Sequence, residues 1–192
     1  MDIIMCGVGG QGTVLASRVL GDTAMKQGFQ VRTSEIIGMS QREGSVVSQV
    51  RIGHDLNGPL IPDQAADFFL GFELAESVRN LEKLGPQGIA IVNTQKIVPP
   101  SCYLGASSYN EPALLDYLQK QVPTLILIDA LELARQAGNL KAVSAVMLGA
   151  FSAVYSEIDA AEIANELIEK LPEKLKDLNT RAFELGKTYA EG

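Results

Sequence analysis

The segment GVGGQG, residues 7 to 12, sets four glycines into six positions, directly after an apolar run and before a helical one. Gly7, Gly9 and Gly12 match G-x-G-x-x-G in the strand–turn–helix context that a dinucleotide-binding loop demands. Glycines let the backbone turn tightly and approach a pyrophosphate, while free N–H groups at the helix start favour an anion. That chemistry also wants an acidic residue at the end of the second strand, about 20 residues on, to hold ribose hydroxyls. Glu35 stands near that place. The other reading is that these glycines only permit close strand–helix packing, with no ligand.

A second block, SEIIGMSQREGSVVSQVRIG, is too polar to be core between its two strands. It carries Ser34, Glu35, Ser40, Gln41, Arg42, Glu43 and Ser45, with Ile37 and Met39 interleaved. Loops that follow strands in α/β domains tend to carry function, so a contact surface for a partner protein or a ligand is expected here. A solvated turn is the plainer alternative. His54, the single histidine, reads as a turn residue after a strand. No G-x-S-x-G elbow is present, and Cys6 lies in a strand pattern, where a buried, inert thiol is expected. Glu73 and Glu76 fall on a helical face and read as solvated charges, and Asn139 reads as a helix N-cap. The residues therefore nominate no catalytic group and no metal site within this chain.

Composition narrows the classes further. The 192 residues carry a formal net charge of -7 with no Lys/Arg cluster, which argues against nucleic acid as a partner. No apolar run approaches the ~20 residues a bilayer crossing needs, and the first residues lack a basic, signal-like region. A cytoplasmic location fits both. Two cysteines and one histidine are too few for an iron–sulfur cluster or a structural zinc, so redox metal chemistry would have to sit on a partner.

The elements that must position these residues follow from periodicity. Asp2 to Gly7 reads as a buried strand, Gly10 to Gln27 as a helix stopped by Gly28, and Phe29 to Thr33 as a returning strand, together a βαβ unit. VVSQVRIG, DFFLGF, GIAIVN and TLILIDA read as further strands, with a helix from Glu73 to Leu84 ending at Gly85–Pro86 and another from Pro112 to Gln121. Residues 97 to 104 read as weakly extended. Beyond Ala130 the chain is helical almost throughout, and Val143 to Val154 is apolar on nearly every face, the mark of a buried helix. The expected architecture is one layered α/β/α domain over residues 1 to 192, with a mixed, mostly parallel sheet and a helical C-terminal part from about residue 130.

Taken in order, these blocks resemble one family. The glycine-rich start, SEIIGMSQREGSVVSQVRIG, LGFELAESVRNLEKLGP, IVNTQKIVPP, DALELARQAGN, VMLGAFSAV and LNTRAFELG are similar to the gamma-type subunit or domain of 2-oxoacid:ferredoxin oxidoreductases, over essentially the whole chain. They look most like the small (beta) subunits of its indolepyruvate branch. The resemblance implies a subunit of a heteromeric complex that oxidatively decarboxylates a 2-oxo acid with coenzyme A, giving acyl-CoA, carbon dioxide and reduced ferredoxin. Indolepyruvate or another aryl pyruvate is the implied substrate; a pyruvate, 2-oxoisovalerate or 2-oxoglutarate enzyme is the alternative. A stand-alone NAD- or flavin-binding Rossmann-like protein is the rival class, and an assembly module without a ligand is a third reading. The family places thiamine diphosphate, Mg2+ and the iron–sulfur clusters on the large partner subunit or subunits, and ferredoxin meets the complex rather than this chain. Gly9, Gly10, Gln11 and Gly12 are the candidate contacts for coenzyme A or another anion, and Ser40, Gln41, Arg42 and Ser45 the candidate partner-facing loop. Two positions depart from the family: Glu43 replaces the first glycine of its S-Q-R-G-G-S, and Ser144 stands where Asn is common. A positive φ at residue 43 would cost a glutamate on the order of 1 kcal/mol.

Overall fold

The computed structural model describes residues 1–38, 44–103, 105 and 108–192. The chain runs β1 (Asp2–Val8), α1 (Thr13–Lys26), β2 (Gln30–Ile37), β3 (Ser45–Gly53), β4 (Ala66–Gly71), α2 (Leu74–Asn80), β5 (Leu84–Asn93), α3 (Pro100–Tyr103), α4 (Glu111–Gln121) and β6 (Thr124–Ile128). It continues through α5 (Ala130–Ala137), α6 (Val143–Val154), α7 (Ala160–Glu169) and α8 (Lys176–Glu191). The strands form one sheet in the order β2-β3-β1-β4-β5-β6. β1, β4, β5 and β6 are parallel, while β3 runs antiparallel to both of its neighbours. This is the mixed, mostly parallel α/β sheet expected.

Alternation along the strands sorts the core into two faces. Ile3 and Met5 of β1 join Val50, Ile52, Phe68, Leu70 and Ile91 beneath α1, α5 and α6. Ile4 and Cys6 join Phe69, Ala90 and Val92 on the opposite face, against Leu74 of α2 and Leu118 of α4. On the first face α6 is buried from Val143 through Ser152, as its all-round apolar pattern requires. α8 lies against it at glycine contact distance: a Cβ on Gly149 would sit 1.9 Å from the Phe183 carbonyl oxygen, and one on Gly186 2.0 Å from that of Val146.

Three expectations are corrected. The returning strand β2 does not pair with β1, because β3 stands between them. β3 buries residues on both faces and takes an interior position, whereas β2 carries Gln30, Arg32, Thr33 and Glu35 and is exposed along most of its length, which suits an edge. The helical stretch after Glu73 runs to Lys83, its last turn (Leu81–Lys83) tightened to 3-10, and Gly85–Pro86 lies within the start of β5 rather than beyond the helix, where the pairing with β4 shifts register between Ala66 and Phe68. A proline is tolerated at such an irregularity because no ladder N–H is required of it. Residues Pro100–Tyr103 form a short helical turn rather than an extended segment.

α1 and α7 are joined by charge. Lys26 Nζ lies 2.5 Å and Lys170 Nζ 2.8 Å from the buried Glu166 carboxylate, and Lys170 also meets Asp22. Burial alone would raise the Glu166 pKa, but hydrogen bonds from Lys170 and Lys26 outweigh it and hold the group below its ordinary 4.5. A carboxyl that binds its proton less tightly when folded stabilises the fold above the unfolded pKa and loses that contribution as pH falls through the folded value. The melting-temperature gap between the parent protein and Glu166→Gln should therefore be full near pH 7 and close below pH 4.5; a gap independent of pH would refute this role.

Candidate functional site

The carboxyl ends of β1, β4 and β5 meet at one end of the sheet, where open α/β folds place their ligands. The glycine loop leaves β1 there. Gly10 and Gly12 take φ of 98° and 88°, a region open chiefly to glycine, and Gly12 is the N-cap of α1. A Cβ on Gly7 would lie 2.7 Å from Gln11 Oε1 and 2.8 Å from Phe72 Cβ, and one on Gly12 2.8 Å from Ser144 Cβ. The packing reading thus holds at the first and third glycines of the fingerprint, and Ser144 fills the space over Gly12. Gly9 and Gly10 are different: both are exposed, and a Cβ on Gly10 would meet nothing within 4 Å.

Gln11 turns inward. Its Oε1 accepts the Val8 N–H at 2.7 Å, while its Nε2 donates to the Phe72 carbonyl at 2.9 Å and to Gln95 Oε1 at 3.2 Å. Asn93, fully buried at the end of β5, donates to the same Phe72 carbonyl at 2.9 Å and accepts the backbone N–H groups of Gln95 and Ala130. Three carboxamides thereby tie the ends of β1, β4 and β5 to the start of α5. Asn93 and Gln95 were not foreseen, although a polar residue closing the apolar run GIAIVN is the signal that could have found Asn93.

The polar hairpin joins this end of the sheet through its base. Gly38 N–H donates to the Ser45 carbonyl at 2.8 Å, and Gly9 N–H donates to the Gly44 carbonyl at 2.9 Å. Ser45 Oγ donates to Glu76 Oε2 at 2.6 Å. Ser40, Gln41 and Arg42, together with Glu43, lie outside the described residues.

Glu73 and Glu76 correct the expectation of solvated charges: they are 1% and 4% exposed. Glu73 is the N-cap of α2, accepting from Glu76 N–H at 2.8 Å, Ile97 N–H at 3.1 Å and the Tyr109 hydroxyl at 2.7 Å. Glu76 pairs with Arg79 as well as Ser45. Desolvation, then the hydrogen bond to Glu73, push the Tyr109 hydroxyl well above its ordinary pKa. Burial and the nearby Glu76 charge raise the Cys6 thiol, whose Sγ donates to the Glu76 carbonyl at 3.4 Å, so Cys6 stays protonated and unreactive. A cavity of about 100 Å3 lies between Val8, Ser45, Glu73, Glu76, Arg79 and Pro99. A larger one, about 650 Å3, opens at the amino ends of β5 and β6, beside Pro86, Tyr117 and Pro123, and shares Arg79 with the first.

Two other residues fall elsewhere. Glu35 is an exposed residue within β2, 3.9 Å from Arg18, and β3 separates it from β1, so it is not placed as a ribose-binding acid at the glycine loop. His54 follows β3 as an exposed residue with its ring 5.5 Å from Phe29, as a turn residue would. Among the described residues no three His, Cys, Asp or Glu side chains converge to hold a metal ion, and no helix there is long and apolar enough to cross a membrane.

The model for the family pyruvate ferredoxin/flavodoxin oxidoreductase matches residues 2–189. The chain is 38% identical to the indolepyruvate oxidoreductase subunit IorB of Archaeoglobus fulgidus, across 99% of this chain and 95% of that protein. It is 25% identical to the pyruvate/ketoisovalerate oxidoreductases common subunit gamma of Pyrococcus furiosus, across 92% and 89%. The fold matches the gamma subunit of a keto/oxoacid ferredoxin oxidoreductase from Geobacter sulfurreducens with TM-score 0.72 at 22% identity, covering 98% of this chain and 97% of that one. It also matches part of the 2-oxoglutarate:ferredoxin oxidoreductase of Magnetococcus marinus, with TM-score 0.74 at 19% identity over all of this chain and 31% of that one. With a family match from end to end and relatives above one-third identity over nearly their full length, this chain belongs to the pyruvate ferredoxin/flavodoxin oxidoreductase family.

Proposed function

We propose that this chain is the small, gamma-type subunit of a cytoplasmic, heteromeric 2-oxoacid ferredoxin oxidoreductase acting on indolepyruvate or a related aryl pyruvate. The reaction joins the acyl group of the 2-oxo acid to the coenzyme A thiol, releases carbon dioxide and a proton, and passes two electrons to two ferredoxins. The 38% identity to an indolepyruvate enzyme subunit, against 25% to a pyruvate/ketoisovalerate one, supports the aryl substrate.

The chain's own donor set does not fit the redox cofactors of such a complex. It has two cysteines, one of them fully buried, and a single exposed histidine. The iron–sulfur clusters therefore belong to the large partner subunit; the family resemblance places thiamine diphosphate with its Mg2+ there too, and ferredoxin docks on the complex. This chain contributes shape and anion recognition. The carrying observation is the open Gly9–Gly10 backbone at the start of α1, tied by the Gly9 N–H to the base of the polar hairpin. α1 has no acidic residue in its first turn, so its N-terminus is left electropositive toward a phosphate of coenzyme A. Gly9, Gly10, Gln11 and Gly12 form this contact in our reading, with Gln11 as its inward brace, while Ser40, Gln41 and Arg42 face the partner and Ser45 anchors their loop, its hydroxyl turned inward to Glu76.

The test compares Gly10→Asp with Gly10→Asn in the complex reconstituted with the large subunit, assayed with a viologen acceptor. Both residues bear the same strain at positive φ, and only the aspartate adds charge. The KM for coenzyme A should rise roughly 10-fold more for aspartate than for asparagine, about 1.4 kcal/mol. Equal effects would remove the anion site, and a 2-oxo acid screen in the same assay separates aryl pyruvates from pyruvate, 2-oxoisovalerate and 2-oxoglutarate.

A further inference from the structure

α2 begins with two acids three residues apart, and both are sealed from solvent. Burying a carboxylate costs several kcal/mol unless hydrogen bonds replace its water. Those bonds are present, and their partners are the informative part. Capping α2 requires only the Glu76 N–H. Glu73 also takes Ile97 N–H and the Tyr109 hydroxyl, which bracket the loop between β5 and α4. Glu76 takes the Ser45 hydroxyl, adjacent to Gly44, whose carbonyl holds the Gly9 N–H of the glycine loop. Each acid thus reaches out of α2 to a different loop, and the two loops flank the cavity of about 100 Å3 at the end of β1.

A buried ionic group is seldom retained for its net energy alone. What apolar packing cannot supply is direction. We infer that Glu73 and Glu76 are positioning residues: Glu76 sets Gly44 and Ser45 against the glycine loop, and Glu73 sets Ile97 and Tyr109, in the arrangement that turnover of the complex requires. This rests on the reading of that end of the sheet as the working surface.

The test uses Glu73→Gln, Glu76→Gln and Ser45→Ala in the full chain and in the reconstituted complex. Hydrogen exchange should quicken at Gly9 and at Gly44–Ser45 for Glu76→Gln and Ser45→Ala, and at Ile97 and Tyr109 for Glu73→Gln, with the remainder unchanged. In the complex, kcat should fall ~10- to 100-fold for each, the range expected when a reacting group is misplaced by a distant change. The KM for the 2-oxo acid and the affinity for the large subunit should stay within about 2-fold, as for an interaction lost only at the transition state. Ser45→Ala with Glu76→Gln should be no worse than Glu76→Gln alone, because the Ser45–Glu76 hydrogen bond is common to both, while Glu76→Gln also loses the Arg79 ion pair. Ser45→Ala removes only a hydroxyl, so it carries the test if a glutamate variant does not fold. Exchange that is unchanged or faster everywhere would overturn the inference, as would local loosening with normal kcat. Failure of the working-surface reading shows separately, as equal behaviour of the two Gly10 variants.

Discussion

Gly149→Ala should destabilise the protein by roughly 3–5 kcal/mol, the severe end of overpacking. The new methyl carbon would lie 1.9 Å from the Phe183 carbonyl oxygen and close to two further backbone atoms of α8. Backbone cannot rotate aside as the end of a long side chain can, so α6 and α8 must separate. Separation opens space around Val146, Ala150 and Phe183, all fully or almost fully buried, and forfeits their contacts. Gly186→Ala meets the Val146 carbonyl in the same way and should cost a similar amount. The double variant should cost less than the sum, because one separation accommodates both methyls. Against a total stability of about 5–15 kcal/mol, thermal unfolding should show a fall of about 10 °C or more for each single variant. A melting temperature within about 2 °C of the parent would mean that the helices do not meet at these glycines.

Asn93→Leu should cost about 3 kcal/mol and lower the activity of the complex. Leucine keeps the branched shape of asparagine but leaves the buried Ala130 N–H and the half-buried Gln95 N–H without their acceptor, and an orphaned buried donor costs about 1–3 kcal/mol. Phe72 O keeps Gln11 as its donor, so the damage concentrates at the start of α5 and at Gln95. Gln95 Oε1 in turn accepts from Gln11, so the inward brace of the glycine loop loosens with it. Asn93→Asp separates the two roles. It keeps an acceptor for Ala130 N–H but sets a carboxylate against the Phe72 carbonyl, so it should be destabilising at neutral pH and less so in acid. Urea unfolding at pH 7 and pH 4 measures both variants, and an Asn93→Leu protein as stable as the parent would show that the carboxamide is dispensable.

Features set within a few residues of one another were legible in advance. The glycine loop, the start of α1 and the stop at Gly28 (φ 89°) each depend on neighbouring backbone alone. So does the Asn139 cap, whose side chain accepts Lys141 N–H at 2.9 Å, although it caps the 3-10 turn Leu140–Ala142 that leads into α6 and not α6 itself. α6 was legible because apolar residues on every side of a helix leave no face for water. Glu73 and Glu76 were misread by the same local logic, which assigns acids on a helix to solvent. That logic fails for a two-turn helix whose outer face is covered by Ser45, Ile97 and Tyr109, residues 24 to 36 positions away in sequence. Glu35 was misplaced because its spacing from the glycine loop presumes that β1 and β2 are neighbours.

Residue order and local chemistry thus determined the family, the α/β class, the glycine loop with its two left-handed positions, and the buried α6. Tertiary structure alone decided that β3 would part β1 from β2, that two acids would be sealed beneath two loops, and that Gln11, Asn93 and Gln95 would converge on one end of the sheet. The physical reason is range. Caps, turns and periodicity are satisfied by hydrogen bonds and dihedral preferences among near neighbours, whereas strand order and the burial of charge depend on which distant groups supply the donors that replace water.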